Sequence, residues 1–298
     1  MSYNIISYSL FTAKTHHSHR TYDQSNHDIN RYWYNIPALL VINRLFYPDF
    51  FVRVHIDKSI QNHFLYPLLQ KFTEEYKMFQ LACIDYPFIN TEPTLWRLLP
   101  VWSSNNLVLC RDIDSIPNTA EVKATLAFKN SDYIIHNIRS HPNHNSSATR
   151  MLAGLCAFKS ATACHINHSF AEFYNMSSKQ WGCDQSLLMH YWIDRTGIGF
   201  VKNCILDTAI PCLGYMCEHI SGFDAGKLRQ EEYDNIDLSF VEKDILNLIG
   251  RNTAWCGQPI DARGDFTQYC LNLDNDVAHA IKKCVLEYDV AKQFYRIN

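Results

Sequence analysis

Glycine is scarce in this 298-residue chain: there are ten, and none precedes Gly154. A Gly-rich loop that cradles phosphate through bare backbone is therefore missing from the first half, which argues against sugar-phosphate nucleotidyltransferase chemistry. No run of lysine and arginine is long enough to track a nucleic-acid backbone, and a net charge of −3 with a pI near 6.5 supplies no basic field to attract one. Long apolar runs are also lacking. The longest stretches, such as 36–42, fall far short of the roughly 18 residues that a spanning helix needs, so no membrane span is expected. No Cys-x-x-Cys occurs, and Cys212, Cys217 and His219 match no common structural zinc spacing.

The eleven cysteines are an odd number, and Cys83, Cys110, Cys156 and Cys204 sit inside apolar runs. Buried, reduced thiols in a cytosol-like compartment are the simplest account. The chain opens on a polar-punctuated strand where a signal peptide would carry basic and apolar regions, so a cytoplasmic protein is expected. The Asn-, Ile- and His-rich composition points to an AT-rich genome, such as a large DNA virus or an intracellular bacterium, which would make the setting a host cell or a virion.

What is abundant is apolar and aromatic: 47% of residues are hydrophobic, 19% are charged, and tyrosine and phenylalanine number 17 each. Such a chain can bury a core in one large domain or two small ones. Residues 3–11 read as a strand, 16–26 as a polar loop, and a helix runs from near Asp28 past Pro37 to Asn43. A strand at 50–57 is followed by an amphipathic helix over 59–76, with Phe64, Leu65, Leu68, Leu69 and Phe72 on its buried face. The alternation continues with a strand at 78–84, a helix at 93–102, a strand at 106–111, a helix at 119–128 and a strand at 133–138. Helices are expected near 164–174 and over 185–192. A capping box of Ser239 and Glu242 opens a helix that Gly250 ends, and Asp274 or Asn275 starts a last one bearing Val277, Ile281, Val285 and Tyr288. Alternating elements of this kind build an α/β fold with a mixed, mainly parallel sheet flanked by helices. The economical division is a core over 1–225 and a C-terminal helical extension over 226–298.

The chemistry concentrates where the apolar run Leu-Val-Leu-Cys-Arg at 107–111 meets Asp112-Ile113-Asp114-Ser115. Alternate residues of an extended chain share a face, so Asp112 and Asp114 form a carboxylate pair at the mouth of a strand. Carboxylates held that close repel unless a cation lies between them, and hard oxygen ligands suit Mg²⁺ or Mn²⁺. Ligands of open α/β sheets sit beyond the carboxyl ends of strands, where Asp57 also falls. Gly154, beside Ala153, admits close approach either of a sugar ring or of a packed strand. Asp184 precedes a helix and serves either as its cap or as a general base.

Taken in order, the chain offers Ser7-Tyr8-Ser9, Asp57, Thr94-Leu95-Trp96-Arg97, Arg111-Asp112-Ile113-Asp114-Ser115, His141-Pro142-Asn143-His144, Ala153-Gly154 and Trp181-Gly182-Cys183-Asp184-Gln185. Over roughly residues 3–225 this series resembles the glycosyltransferases of GT-A fold, in particular a group of bacterial and large-virus members. The resemblance implies a Rossmann-like nucleotide-sugar-binding sheet and transfer of a sugar from a UDP- or GDP-sugar donor to a glycan or protein acceptor, with Mn²⁺ or Mg²⁺ on the diphosphate. It implies Asp114 as a direct metal ligand, Asp112 on ribose or on the metal through water, and His219 as a late metal ligand. Arg97 or Arg111 would neutralise phosphate, while Ser7, Tyr8, Ser9 and Asp57 would recognise base and ribose. Asp184 would act as general base in an inverting reaction or bind the acceptor in a retaining one, and His141 and His144 would shape the donor pocket or close a loop. Ser140 departs from the pattern, which often has an acid before His-Pro. A non-catalytic nucleotide-sugar-binding or scaffold protein of the same fold is the competing expectation.

Overall fold

A computed structural model describes residues 3–11, 30–84, 92–103, 107–139, 151–159, 183–188, 216–221, 224–227, 235–241, 243–252, 256–257 and 265–294. His141, His144, Ser140, the helix expected near 164–174 and the second half of that over 185–192 lie outside these residues.

Two-residue alternation organises the strands. In β1 (Asn4–Ser9), Ile6 and Tyr8 enter the main apolar cluster, while Ser7 and Ser9 face the other way. The same split recurs in β2 (Phe50–Ile56), where Val52, Val54 and Ile56 oppose Arg53 and His55. With β3 (Phe79–Cys83), β4 (Leu107–Arg111), β5 (Ile135–Arg139), β6 (Leu155–Lys159), β7 (Met216–Ser221) and β8 (Asp224–Lys227) they form one eight-stranded sheet of order β3-β2-β1-β4-β6-β5-β7-β8. The expected α/β class and mixed sheet are observed, but parallel pairing does not predominate. β1–β2, β1–β4 and β2–β3 are parallel, and β4–β6, β5–β6, β5–β7 and β7–β8 are antiparallel. The small apolar stretch after Gly154 forms β6, which runs back against β4.

The helices are α1 (Asn30–Phe46), α2 (Tyr66–Glu75), α3 (Thr119–Asn130), α4 (Cys183–Leu187), α5 (Lys243–Asn252), α6 (Asp265–Leu271) and α7 (Asp276–Phe294). One face of the sheet carries the larger cluster, built with α1, α2, α3, α6 and α7. The opposite face of β4, through Val108 and Cys110, packs on Leu95, Leu98 and Val101 of a 3₁₀ segment, Pro93–Trp102, and on Cys183 and Leu187. No described helix is long and apolar enough to cross a membrane.

Proline explains the main local differences from expectation. The helix predicted over 59–76 divides into a 3₁₀ turn, Lys58–Asn62, and α2, because Pro67 is accommodated only in the first turn of a helix. Phe64 falls in the break and is 48% exposed, whereas Leu65, Leu69 and Phe72 are buried. Pro100 similarly accompanies 3₁₀ rather than α geometry in Pro93–Trp102. The expected capping box does not cap. The Ser239 hydroxyl donates to Asp237 at 2.9 Å, α5 begins only at Lys243, and the helix continues through Gly250 to Asn252.

The expected boundary at residue 225 falls inside β8, so the sheet runs across it. The last helix starts as predicted, with the Asn275 side chain accepting the Ala278 N–H at 2.8 Å. It docks through Val277, Ala278, Ile281 and Cys284, all within the main cluster. Ion pairs Lys71–Glu287 and Lys283–Glu75 line the same contact but are exposed, and exposed pairs contribute little. Apolar burial should therefore dominate. Ile281→Ala is expected to cost about 2–5 kcal/mol in urea unfolding, while Leu286→Ala, at a side chain 56% exposed on the same helix, stays within about 0.5 kcal/mol.

Candidate functional site

β1 has β2 and β3 on one side and β4 on the other, which makes the carboxyl ends of β1 and β4 the point where the winding direction of the sheet reverses. A crevice opens at such a point because the connections leave in opposite directions. Ser9 ends β1, and Asp112 follows the last residue of β4. The 3₁₀ segment Pro93–Trp102 lies against both strands and brings Arg97 between them.

Arg97 is the hub. Its N–H donates to Ser9 Oγ at 3.0 Å, and its carbonyl accepts from the Cys110 thiol at 3.5 Å, so the backbone is tied to β1 and β4 together. The guanidinium, in a residue only 5% exposed, donates from Nη1 to Asp112 Oδ1 and from Nη2 to Asp184 Oδ2 at 2.7 Å. Burial alone would lower the pKa of this arginine, but the Asp112 and Asp184 carboxylates outweigh it and hold the group above its ordinary value. Asp184 lies in the first turn of α4, with Oδ1 accepting the Gln185 N–H at 2.9 Å, and is almost fully buried. Asp112 instead keeps 47% of its side chain exposed, so its carboxylate reaches the rim.

Gly154 is explained by that carboxylate. A Cβ placed on it would lie 1.9 Å from Asp112 Oδ2 and 2.4 Å from Asp112 Cγ, contacts no side chain can make. The close approach it permits is thus to an acidic side chain of the same chain. The two-residue spacing of Asp112 and Asp114 does not place them on one extended face, because the strand ends at Arg111 and the chain turns. Ser115 donates to the Asp112 carbonyl from its N–H at 3.3 Å and from Oγ at 3.1 Å, and Asn35 Nδ2 of α1 donates to the Ile113 carbonyl at 3.3 Å. Asp114 is half-buried in this turn.

Other predicted site residues are held elsewhere. Arg111 projects from the opposite face of β4, where Nε pairs with Glu121 at 2.5 Å, Nη1 donates to the Cys110 and Cys156 carbonyls at 2.9 Å each, and Nη2 reaches Thr125 Oγ1 at 3.2 Å. Tyr8 shares that face and accepts from Asn43 Nδ2 at 2.9 Å. Ser7 is fully buried in mid-strand against His55 Nε2 at 3.1 Å, and Asp57 is 2% exposed after β2. Burial pushes His55 down to about 3, with Arg53 adding to the shift, so the imidazole there is neutral. His219 pairs in register with His136, which pairs with Ala157, which pairs with Leu109. Three inter-strand spacings, about 14 Å, therefore separate its backbone from β4, and its level is that of Leu109 rather than the Asp112 rim. Among the described residues, no group of three or more His, Cys, Asp and Glu side chains is arranged to hold a metal ion.

Glu92 is a site residue that the sequence reading missed. It is 1% exposed, directly precedes the segment that carries Arg97 without a side-chain capping bond to it, and is pushed up to about 7 by burial, with the charge of Asp184 adding to the shift. Its signal in the sequence is slight: one acid directly before an apolar stretch beginning with proline. Comparison with protein-family models, curated proteins and solved structures found no match for this chain.

Two measurements probe this geometry. Gly154→Ala should cost about 1–3 kcal/mol in urea unfolding. Because the clash is with the Asp112 carboxylate, Asp112→Ala should relieve part of it, giving a coupling of about 0.5–3 kcal/mol in a double-mutant cycle. For Glu92, the folded protein keeps the proton to higher pH than the unfolded chain does, so unfolding releases a proton between 4.5 and about 7 and stability falls as pH rises through that window. Glu92→Gln should flatten this slope in unfolding midpoints measured across the same range.

Proposed function

We propose that this protein is a metal-dependent glycosyltransferase that moves a sugar from a nucleotide-diphosphate donor to an acceptor hydroxyl. The observation that carries the reading is the Arg97 guanidinium shared by Asp112 and Asp184 at the reversal point of the sheet. The order of motifs along the chain and the mixed sheet support it further. A dication bound through substrate phosphates and water needs only one or two protein carboxylates, and hard oxygens on a solvent-facing rim suit that demand. Asp112, with its exposed carboxylate, and Asp114 in the same turn are the residues that would hold the ion. When bound, such a cation would neutralise charge that develops on the departing diphosphate.

The chain's own groups account for the rest. Arg97 is fixed by backbone and side-chain bonds, so it presents a charge-bearing edge beside Asp112 without further ordering. Ser9 holds the Arg97 backbone at the end of β1. Asp184 takes the proton of the acceptor hydroxyl in an inverting displacement or binds the acceptor in a retaining one. Asp57 follows β2 near the same edge of the sheet, where base and ribose would lie. Mn²⁺ or Mg²⁺, a UDP- or GDP-sugar and a glycan or protein acceptor are the corresponding cofactor and substrates.

One observation favours a second reading, a nucleotide-sugar-binding protein without turnover. Both oxygens of Asp184 are engaged, one by Arg97 and one by the Gln185 N–H, so a base role requires Arg97 to yield. Free nucleotide released from a panel of UDP- and GDP-sugars with Mn²⁺ separates the two. The enzyme reading expects release with at least one donor, a fall of roughly 100-fold or more in Asp114→Ala, and a similar loss in Asp184→Asn with donor affinity retained. Donor binding with no release supports the second reading, and neither binding nor release rejects both.

A further inference from the structure

Two of the buried cysteines face each other across the sheet. Cys110 of β4 and Cys156 of β6 are directly opposed in the antiparallel register, and both side chains enter the apolar cluster that they share with the 3₁₀ segment. Both are free thiols, fully buried, and the Cys110 side chain acts on that of Cys156 through a hydrogen bond. Directly opposed residues of an antiparallel pair have Cα atoms about 4.5–5.5 Å apart, inside the roughly 4.4–6.8 Å that a disulfide spans. Each thiol also holds a backbone carbonyl of the candidate site. Cys110 donates to Arg97 at 3.5 Å, and Cys156 donates to Ala153 at 3.4 Å, next to the glycine that receives Asp112.

We propose that Cys110 and Cys156 are a dithiol modification site, closed to a cross-strand disulfide by a peroxide, and that closure removes the thiol anchor of Arg97. This modification does not depend on the glycosyltransferase reading. The peroxide is the one co-reactant. The Cys156 sulfur attacks its O–O bond, an S–O bond forms and the first water leaves; the Cys110 sulfur then displaces the second water from that sulfenic acid as the S–S bond forms. The two thiols together lose two hydrogens and two electrons are accepted by the peroxide, which ends as two waters. Burial pushes the Cys156 thiol well above its ordinary range, so the reaction is slow, but the same burial keeps larger thiols away and leaves the opposed Cys110 to resolve the intermediate. The closed ring encloses residues 111–155, so the Asp112 turn and Gly154 both lie within it. Because both S–H donors are consumed, the Arg97 and Ala153 carbonyls lose these bonds, and of the two backbone ties on Arg97 only that to Ser9 remains.

Peptide mapping of the full chain after prolonged exposure to excess hydrogen peroxide, with alkylation in denaturant and digestion without reductant, tests this. A linked pair of peptides bearing Cys110 and Cys156 is expected, and dithiothreitol should return both thiols. Hydrogen exchange read by mass spectrometry should show the peptide spanning 93–102 exchanging about twofold to tenfold faster in the linked protein than in the reduced one. Cys156→Ser treated in the same way should show neither the link nor the faster exchange. The wild-type map decides the outcome even if that variant fails to fold. The proposal is overturned if other cysteines are oxidised while Cys110 and Cys156 stay unlinked, if either of them links instead to Cys183 of the same cluster, or if the linked protein exchanges over 93–102 as the reduced one does.

Discussion

One buried positive charge ties this molecule's candidate site together. Arg97 is almost wholly withdrawn from water, and a buried guanidinium is tolerable only where carboxylates and fixed dipoles answer it. Asp112 comes from the end of a central strand, Asp184 from a short helix more than seventy positions later, and Ser9 from the first strand. None of these segments is a neighbour of another in sequence. The shared cation therefore fixes how strand ends, 3₁₀ segment and short helix meet. It also sets the character of the rim, since two acids share one base there and the excess negative charge faces solvent through Asp112.

Two consecutive charged residues illustrate how the end of a strand divides its labour. Arg111 and Asp112 are adjacent, yet Arg111 serves the interior on one side of the sheet, with Glu121, Thr125 and two carbonyls, while Asp112 serves the rim with Arg97. Glu121 is itself raised by burial and only partly relieved by Arg111, so this inner pair is a matter of satisfied desolvated groups and not of chemistry at the crevice. Proximity in sequence is a poor guide to shared function where a strand ends and the chain turns, as it does between these two residues.

Much of the fold was legible because apolar runs of strand length and helical stripes are local signals. β1 to β5, α1, α3 and the start of α7 fall where the sequence reading puts them. Departures arise where a local rule was extended past its range. A helix was carried across Pro67, a strand's two-residue period was carried beyond Arg111 to pair Asp112 with Asp114, and a capping motif at Ser239 was separated from the helix it was meant to open. The mainly parallel sheet failed for another reason: strand direction depends on which edge the chain returns to, and the reversal at β6 leaves no local trace. In the candidate site, Arg97, Asp112, Gly154 and Asp184 were all named in advance, but their mutual contacts were not. Gly154 is expected to admit either a sugar ring or a packed strand, and the close neighbour that the structure shows there is the Asp112 side chain. Glu92, His55 and Asn35 were invisible because each matters only through a partner brought near by the fold.

The strand order also bears on how the chain must acquire its shape. Asn4 of the first strand pairs with Phe50 on one side and with Leu107 on the other, and Glu75 meets Lys283 at a separation of 208 positions. Contacts so distant along the chain close slowly, since long loops must be ordered before any pairing rewards them. During synthesis the first strand, with Ile5, Ile6 and Tyr8, must wait unpaired on its β4 side until the fourth has left the ribosome, and the wall of helices beneath it stays incomplete until the final helix arrives. The nascent protein thus passes an interval with apolar strand segments uncovered, the state in which chains of this size are most prone to associate wrongly.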